Sequence, residues 1–179
     1  MILGSKGIAV DYVSTMPLEI ERKFLIEHDG WKASCTRSIR IRDGLIASEN
    51  GRKVRVRIAD GRATLAVKGR ERGFARAEYE YDIPLTHAEE MLRMCDGLAE
   101  KIRHIVPYAG SIWEVDAYEG VLSGALIAEV ELNTECQKLD LPDWVGKEVT
   151  DDPNYKKVCM LAERMMATSA GRSGKHAQV

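Results

Sequence analysis

Three kinds of feature are missing from this chain, and each absence narrows what it can be. The four cysteines are scattered, with no C-x-x-C pair and no histidine at zinc-ligand spacing, so neither a disulfide framework nor a structural zinc site is predicted. No apolar run approaches the roughly 20 residues that a membrane-spanning helix needs, and the opening segment lacks an apolar stretch long enough for a secretory signal. We therefore expect a soluble, cytoplasmic protein with reduced thiols.

An excess of charge of one sign is missing as well. The 26 Lys and Arg residues nearly cancel the 28 Asp and Glu residues, which leaves a formal net charge of −2 although 30% of the chain is charged. This balance predicts neither a nucleic-acid partner nor a membrane partner. The question is instead where in the fold so many charges of both signs are placed.

The length favours a single domain. With 179 residues and a 45% hydrophobic composition, the chain can bury one core but not comfortably two. Residues 1–16 show no periodic pattern and are expected to form a loose N-terminal arm, and residues 168–179 are small and polar, which is typical of a disordered tail. The folded domain is therefore predicted to span residues 17–167.

Most of that span alternates polar and apolar residues with a period of two, which indicates β-strands. Eight segments show it: LEIERKFLI, SIRIRDGLIA, KVRVRIA, ATLAVKG, FARAEYEYDI, EKIRHIVPY, SIWEVDAYE and ALIAEVEL. Turn-like breaks such as SENGRK and ADGRA favour antiparallel hairpins between them. Residues 85–95, with Thr86 as N-cap, and residues 152–166, with Asp152 before Pro153, have the spacing of amphipathic helices.

Along each predicted strand, the charged residues share one face and the apolar residues share the other. The charged faces are Glu19/Glu21/Lys23, Arg55/Arg57, Lys68, Arg76/Glu78/Glu80, Lys101/Arg103, Glu114/Asp116 and Glu129/Glu131. A sheet with one face in water would explain any single pair. It explains the whole set less well, because carboxylates concentrate in some strands and cations in others.

Eight such strands can close into a barrel, whose charged interior would have to be hydrated or paired. Arginine and lysine side chains suit a string of phosphates, since the guanidinium group can fork two phosphate oxygens. Clustered carboxylates suit the hard cations that accompany phosphates, Mg²⁺ or Mn²⁺. The two sets together predict a metal–polyphosphate site.

The motif E-x-E-x-K at Glu19, Glu21 and Lys23 resembles the signature of the CYTH, or triphosphate tunnel metalloenzyme, superfamily. Further motifs follow in the order of that superfamily: RVR at 55–57, a lysine strand ending at Lys68, EYE at 78–80, EKIR at 100–103, WEVDAYEG at 113–120, AEVEL at 128–132 and YKK at 155–157. The resemblance implies an α+β fold: an eight-stranded antiparallel β-barrel, forming a tunnel open at both ends, with helices packed on its outside. It also implies metal-dependent hydrolysis of a linear triphosphate, with inorganic tripolyphosphate as the expected substrate.

The resemblance implies roles for individual residues too. By position, Glu19, Glu21, Glu129 and Glu131 resemble the metal-binding carboxylates, with Asp116 as a helper, and Lys101 resembles a lysine that helps to activate the attacking water. Glu19 and Glu21 would thereby also be catalytic. The residues that resemble phosphate-binding cations are Lys23, Arg55, Arg57, Lys68, Arg103 and Lys156.

Alternatives remain within the superfamily and outside it. A class IV type adenylate cyclase would use the same tunnel on ATP, and a thiamine triphosphatase would also take a nucleotide-sized substrate. A non-catalytic polyphosphate- or nucleotide-binding module is disfavoured, because pure anion binding would remove carboxylates from the wall. The oligomeric state is open, and a homodimer is compatible with the sequence.

One segment departs from the pattern of the superfamily. Several tripolyphosphatase-like members carry R-Q-G-Y where this chain has Arg42, Asp43, Gly44 and Leu45. In those relatives the tyrosine resembles a partner of the lysine that Lys101 matches. Because Leu45 has no polar atom, we expect Lys101 to act without that partner, or a second metal ion to activate the water.

Overall fold

The computed structural model describes residues 17–73, 75–157 and 159–164. The predicted N-terminal arm and C-terminal tail lie outside the described residues, as do Met165 and Met166 at the end of the second predicted helix. Within the described part of the chain, no helix has the length and apolar character that a membrane crossing requires.

The described chain folds into antiparallel strands, a short α-helix and three 3₁₀ turns. The strands are β1 (Leu18–Ile26), β2 (Arg37–Glu49), β3 (Arg52–Ala59), β4 (Arg62–Lys68), β5 (Ala75–Asp82), β6 (Leu98–Tyr108), β7 (Ser111–Glu119), β8 (Leu126–Glu131) and β9 (Val145–Glu148). Helix α1 is Leu85–Arg93, and the 3₁₀ turns are Asp29–Ser34, Gly120–Leu122 and Pro153–Tyr155. Residues 157 and 159–164 are also helical.

Strands β1 to β8 close into a barrel, which confirms the predicted fold class. The strand order is β5-β4-β3-β2-β6-β7-β8-β1, and β1 also pairs with β5 through Leu18–Ile20, so the sheet returns on itself. In this ring β2 lies four strands from β1 in both directions, which places the two strands on opposite sides of the barrel.

The ninth strand was not predicted, because its four residues, VGKE, are too few to show a period. It pairs with the C-terminal half of β1, beyond the part of β1 that pairs with β5. The two predicted hairpin turns SENGRK and ADGRA are present. Asn50-Gly51 and Asp60-Gly61 have positive φ at both residues, as two-residue loops between twisted strands require.

The outward faces of the strands are apolar and are covered by two separate layers. On one side Phe24, Trp113 and Val130 pack with Trp31 and Trp144, and the Trp113 ring lies 5.4 Å from Phe24 and 5.5 Å from Trp144. On the other side α1 covers β3 and β4, as the sequence predicted for a helix outside the barrel. Thr86 is not the N-cap, since α1 begins after Pro84 and Thr86 lies in its first turn.

The second predicted helix differs from the expectation. Asp152 does cap its start, accepting a hydrogen bond from the Asn154 backbone N–H, but the first turn is 3₁₀ and Lys156 has an extended backbone. Among the following helical residues, Met160 and Leu161 turn inward: both pack against the apolar cluster that contains Ala99 and Tyr118, and Leu161 lines the barrel cavity. The apolar face of this segment therefore meets one end of the barrel interior, whereas Cys159, Ala162 and Glu163 are exposed.

Docking of α1 gives a prediction for stability. Leu92 is 2% exposed against Val56 and Ala63, so Leu92→Ala should lower the free energy of unfolding by about 2–5 kcal/mol through lost burial and a cavity. Leu85→Ala on the same helix is the control, because Leu85 is 44% exposed and should cost under about 1 kcal/mol. Urea unfolding of both variants measures this, and equal losses would contradict the packing described for α1.

Candidate active site

The barrel interior holds a cavity of about 1040 Å³, with the solvent at its mouth included. Its wall consists of the charged faces that alternation placed on one side of each strand. Ten of the predicted site residues line it: Glu19, Glu21, Lys23, Arg55, Arg57, Lys68, Arg103, Glu129, Glu131 and Lys156. Period-two alternation in a closed sheet therefore brings together residues more than 100 positions apart.

The inward carboxylates of β1 and β8 form what we call the acidic wall, Glu19, Glu21, Glu129 and Glu131. Its geometry follows from the antiparallel register, which sets Glu21 opposite Glu131 and Lys23 opposite Glu129. The Lys23 Nζ atom lies 3.0 Å from a Glu21 oxygen and 2.5 Å from a Glu129 oxygen. The first motif of the sequence thus supplies both the carboxylates and a cation that neutralises them.

Glu19 is held by two cations from neighbouring strands. The Lys68 Nζ atom donates to both of its oxygens at 2.8 and 3.0 Å, and the Arg76 Nε atom donates at 2.5 Å. Burial alone would raise the pKa of Glu19, but Arg76 and Lys68 outweigh it and hold the pKa well below its usual range. Glu19 is therefore ionised and able to act as a metal ligand.

Lys101 and Asp116 are placed differently from the other predicted residues. Both side chains are fully buried, and neither is among the described residues that line the cavity. Asp116 receives two hydrogen bonds from the Arg103 guanidinium group, at 2.7 and 2.8 Å, and a third from Lys101. In this arrangement the Asp116 carboxylate lies behind the cavity wall and orients both Lys101 and Arg103.

The environment of Lys101 changes its proton affinity. Burial, helped by repulsion from Lys157, lowers the pKa of Lys101 to about 7, although Asp116 opposes the shift. The Nζ atom also lies 5.6 Å from the centre of the Tyr118 ring. A lysine with this pKa exists in part as the neutral amine at neutral pH.

Successive ion pairs extend from Lys101 on β6 round most of the barrel to Asp43 on β2 and Arg57 on β3. Arg103 links Asp116 to Glu129, Arg76 links Glu19 to Glu21, and Lys68 links Glu19 to Glu78. We call this series the ion-pair circuit; its members in order are Lys101, Asp116, Arg103, Glu129, Lys23, Glu21, Arg76, Glu19, Lys68, Glu78, Arg55, Asp43 and Arg57. Glu78 contacts both Lys68 and Arg55 and so orients two cations of the wall.

Arg55 is the member of the circuit whose hydrogen bonding is least complete. Its Nη2 atom is 3.4 Å from Glu78, and its Nε atom is buried with no hydrogen-bond partner among the described residues. A buried donor without an acceptor costs free energy that an anionic oxygen would recover. This orphaned atom in the cavity wall fits a phosphate ligand.

The carboxylates of the acidic wall have the chemistry of a divalent-metal site, although most of them are held by cations. Within the described residues no three Asp, Glu, His or Cys side chains form a ready-made cage, because cations hold most of these carboxylates. Glu131 differs: burial raises its pKa, and the nearby Glu114, Glu19 and Glu21 raise it further. Crowded carboxylates of this kind are relieved by a divalent cation, so the donor set fits one.

Three residues of the site were missed or undervalued by the sequence reading. Arg76 matched the charged pattern but received no role, although it contacts Glu19 and Glu21. Asp43 and Lys157 also line the cavity. Alternation could have identified Asp43, since it stands two residues before Leu45 and therefore on the same face of the strand. The direction of the Lys157 side chain depends instead on how the C-terminal segment packs.

Lys156, the lysine that was predicted from the YKK motif, has a more peripheral position. It lines the cavity, but its Nζ atom pairs with Glu71, which also contacts Arg76 at 3.0 Å. Its neighbour Lys157 instead points towards Asp43, with 3.5 Å between Nζ and Oδ2. The assignment of Lys156 as a phosphate-binding cation stays a prediction.

Comparisons with known proteins agree with the closed, charged barrel. Residues 17–158 match the CYTH domain family, and the chain belongs to it. It is 41% identical over 142 residues to an inorganic triphosphatase of Acetivibrio thermocellus, covering 78% of this chain and 90% of that protein. It is 32% identical to an inorganic triphosphatase of Nitrosomonas europaea, covering 77% of this chain and 93% of that protein.

The fold comparison points the same way. The crystal structure of an inorganic triphosphatase superimposes with a TM-score of 0.59 at 29% identity, covering 80% of this chain and 93% of that chain. Membership of this family implies a divalent metal cofactor.

The burial of Asp116 gives a prediction for stability. Asp116→Asn should lower the free energy of unfolding by about 3 kcal/mol, the lower part of the range for breaking a buried pair, because Arg103 keeps Glu114 and Glu129 and Lys101 can release its proton. Asp82→Asn is the control, since its pair with Arg62 is mostly exposed and should cost under about 1 kcal/mol. Chemical denaturation compares them, and a loss at Asp116 as small as that at Asp82 would refute the buried network.

Proposed function

We propose that this protein hydrolyses a linear triphosphate with a divalent metal ion, and that its substrate is inorganic tripolyphosphate. The observation that carries the proposal is the cavity itself, in which an acidic wall and inward-facing Arg and Lys side chains share one enclosed space. The two curated relatives are inorganic triphosphatases, which supports the same substrate class.

The ion-pair circuit suggests how substrate is accepted. Each cation that holds a carboxylate can exchange it for a phosphate oxygen, and the released carboxylate then becomes available as a metal ligand. Arg55, Lys23, Lys68 and Arg103 line the cavity and are proposed to bind the phosphates, with Arg57 and Lys156 as further predicted members. Binding of the triphosphate and binding of the metal ion would thus be coupled, since the phosphates take the cations of the existing ion pairs and the metal ion takes the carboxylates.

We propose Mg²⁺ or Mn²⁺ as the metal, held by Glu19, Glu21, Glu129 and Glu131, with Asp116 acting through Arg103. The metal supplies charge neutralisation and orientation of the phosphates. The protein contributes fixed cations in a water-poor barrel, where electrostatic stabilisation of phosphoryl transfer is strongest.

The surroundings of the group proposed to activate the attacking water differ from the pattern of the superfamily. Leu45 lines the cavity, so the position that carries tyrosine in the similar R-Q-G-Y motif presents an apolar side chain here. Lys101 lies behind the wall and has a lowered pKa. Lys101 is therefore proposed to assist the attacking water without a tyrosine at position 45, which increases the dependence on metal.

A phosphate-release assay tests the proposal directly. Tripolyphosphate, ATP and thiamine triphosphate are each supplied with Mg²⁺ and with Mn²⁺, and cyclic AMP is measured in parallel. Release from tripolyphosphate with the highest kcat/KM supports the proposal. Cyclic AMP from ATP would indicate a cyclase, a preference for thiamine triphosphate would indicate that hydrolase, and no turnover of any substrate would indicate a binding module.

Removal of a metal carboxylate should stop turnover. Glu19→Gln and Glu21→Gln keep the side-chain volume but remove a charged oxygen, so kcat should fall at least about 100-fold while the circular dichroism spectrum is unchanged. Glu49→Gln, an exposed residue at the end of β2, is the matched control and should keep its activity. Full activity of both site variants at saturating metal would rule out this metal site.

The departure at Leu45 gives a second kinetic prediction. Leu45→Tyr should raise tripolyphosphatase kcat, because it supplies a hydroxyl group beside the attacking water, and Lys101→Ala should reduce but not abolish it. The measurement is kcat for both variants across a metal titration. A slower Leu45→Tyr enzyme together with an unaffected Lys101→Ala enzyme would show that a lysine–tyrosine pair has no part in this reaction.

A further inference from the structure

Asp43 is a carboxylate on the side of the barrel opposite the acidic wall. It lies on β2, four strands from β1 in both directions, and its register partner on β3 is Arg57. It is 3% exposed, yet it lines the cavity. Asp43 is therefore not one of the β1 and β8 carboxylates that are proposed to hold a metal ion.

The contacts of Asp43 involve three cations of the cavity, Arg57, Lys157 and, at 3.9 Å, Arg55. Arg57 is forked, with Nε 2.7 Å from Oδ1 and Nη2 3.2 Å from Oδ2. Lys157, from the C-terminal segment, is 3.5 Å from Oδ2. A guanidinium group whose two parallel donors already hold a carboxylate cannot hold a phosphate in the same way. Asp43 thus stands where a phosphate group would otherwise bind.

Apolar side chains lie beside Asp43. Its β6 register partner is Ala99, which lines the cavity and belongs to an apolar cluster with Tyr118 and Ile127, against which Leu161 packs. A phosphate pushed past Asp43 would lose its hydration to apolar side chains after passing a fixed negative charge. Charge and burial therefore limit the cationic part of the cavity at the same place.

We propose that Asp43 is a specificity-determining residue that limits the length of the phosphate chain. It ends the cation-lined part of the cavity, so phosphates added beyond the triphosphate remain at the outer mouth, where solvent screens them. The proposal rests on the proposed function for the class of anion, but it concerns binding and not turnover.

Titration calorimetry in EDTA tests it on the full chain, with pyrophosphate, tripolyphosphate and tetrapolyphosphate as ligands. The wild-type protein should bind tetrapolyphosphate no more than about threefold tighter than tripolyphosphate, because the fourth phosphate gains only screened charge. Asp43→Asn should tighten tetrapolyphosphate binding by about tenfold, the gain from one charge-assisted contact, and change tripolyphosphate binding much less.

Two variants separate this effect from a general change of charge. Glu80→Gln removes a negative charge from the same cavity without releasing Arg57, so it should affect the two ligands equally. Asp43→Asn combined with Arg57→Gln restores the charge balance and should lose the gain for tetrapolyphosphate. Asp43→Gln replaces Asp43→Asn if circular dichroism shows that the latter does not fold, and the wild-type comparison needs no variant.

The outcomes are distinct from those of the functional assay. A wild-type protein that binds tetrapolyphosphate tenfold or more tighter than tripolyphosphate would overturn the inference, as would equal gains for both ligands in Asp43→Asn or no binding of either by that variant. If the wild-type protein binds tripolyphosphate but releases no phosphate with any metal, the proposed function fails while the length limit is still decided by these affinities.

Discussion

Buried charge has to be neutralised, and this constraint organises the protein. Closing eight strands into a barrel puts one face of every strand inside, where an unpaired ion would cost several kcal/mol. Here the inside face is the charged one, so the cations have to find carboxylates across the barrel interior. The ion-pair circuit from Lys101 round to Arg57 is the result, and it keeps the cavity wall charged without a ligand.

The same constraint links stability to function. The ion pairs of the cavity wall can exchange partners. A triphosphate can replace the carboxylate beside a cation, and its metal ion can replace the cation beside a carboxylate. Residues that cannot take part in this exchange then limit the site. Leu45 presents no polar atom, and an apolar cluster around Tyr118 lies at one end, so this part of the cavity differs chemically from the acidic wall.

Much of this arrangement was predictable because period two is a strong signal. Alternation over β1, β3 and β8 identified Glu19, Arg57 and Glu129 as inward-facing before any contact was known, and closure of the sheet then brought them together. The four residues of β9 were too short to show a period. The turn at Pro153 was correctly predicted, but the surface against which the following helix packs was not. An amphipathic pattern does not say which surface of the barrel a helix meets.

The sequence by itself determined the strands, the segregation of charge to one face and the order of motifs that identifies the family, because these depend on neighbours along the chain. The tertiary structure alone decided which charges pair. Asp43 meets Arg57 through the β2–β3 register and meets Lys157 because the C-terminal segment folds back into the barrel, 114 residues away. Contacts between such distant residues depend on the packing of the whole barrel, for which no local pattern carries information.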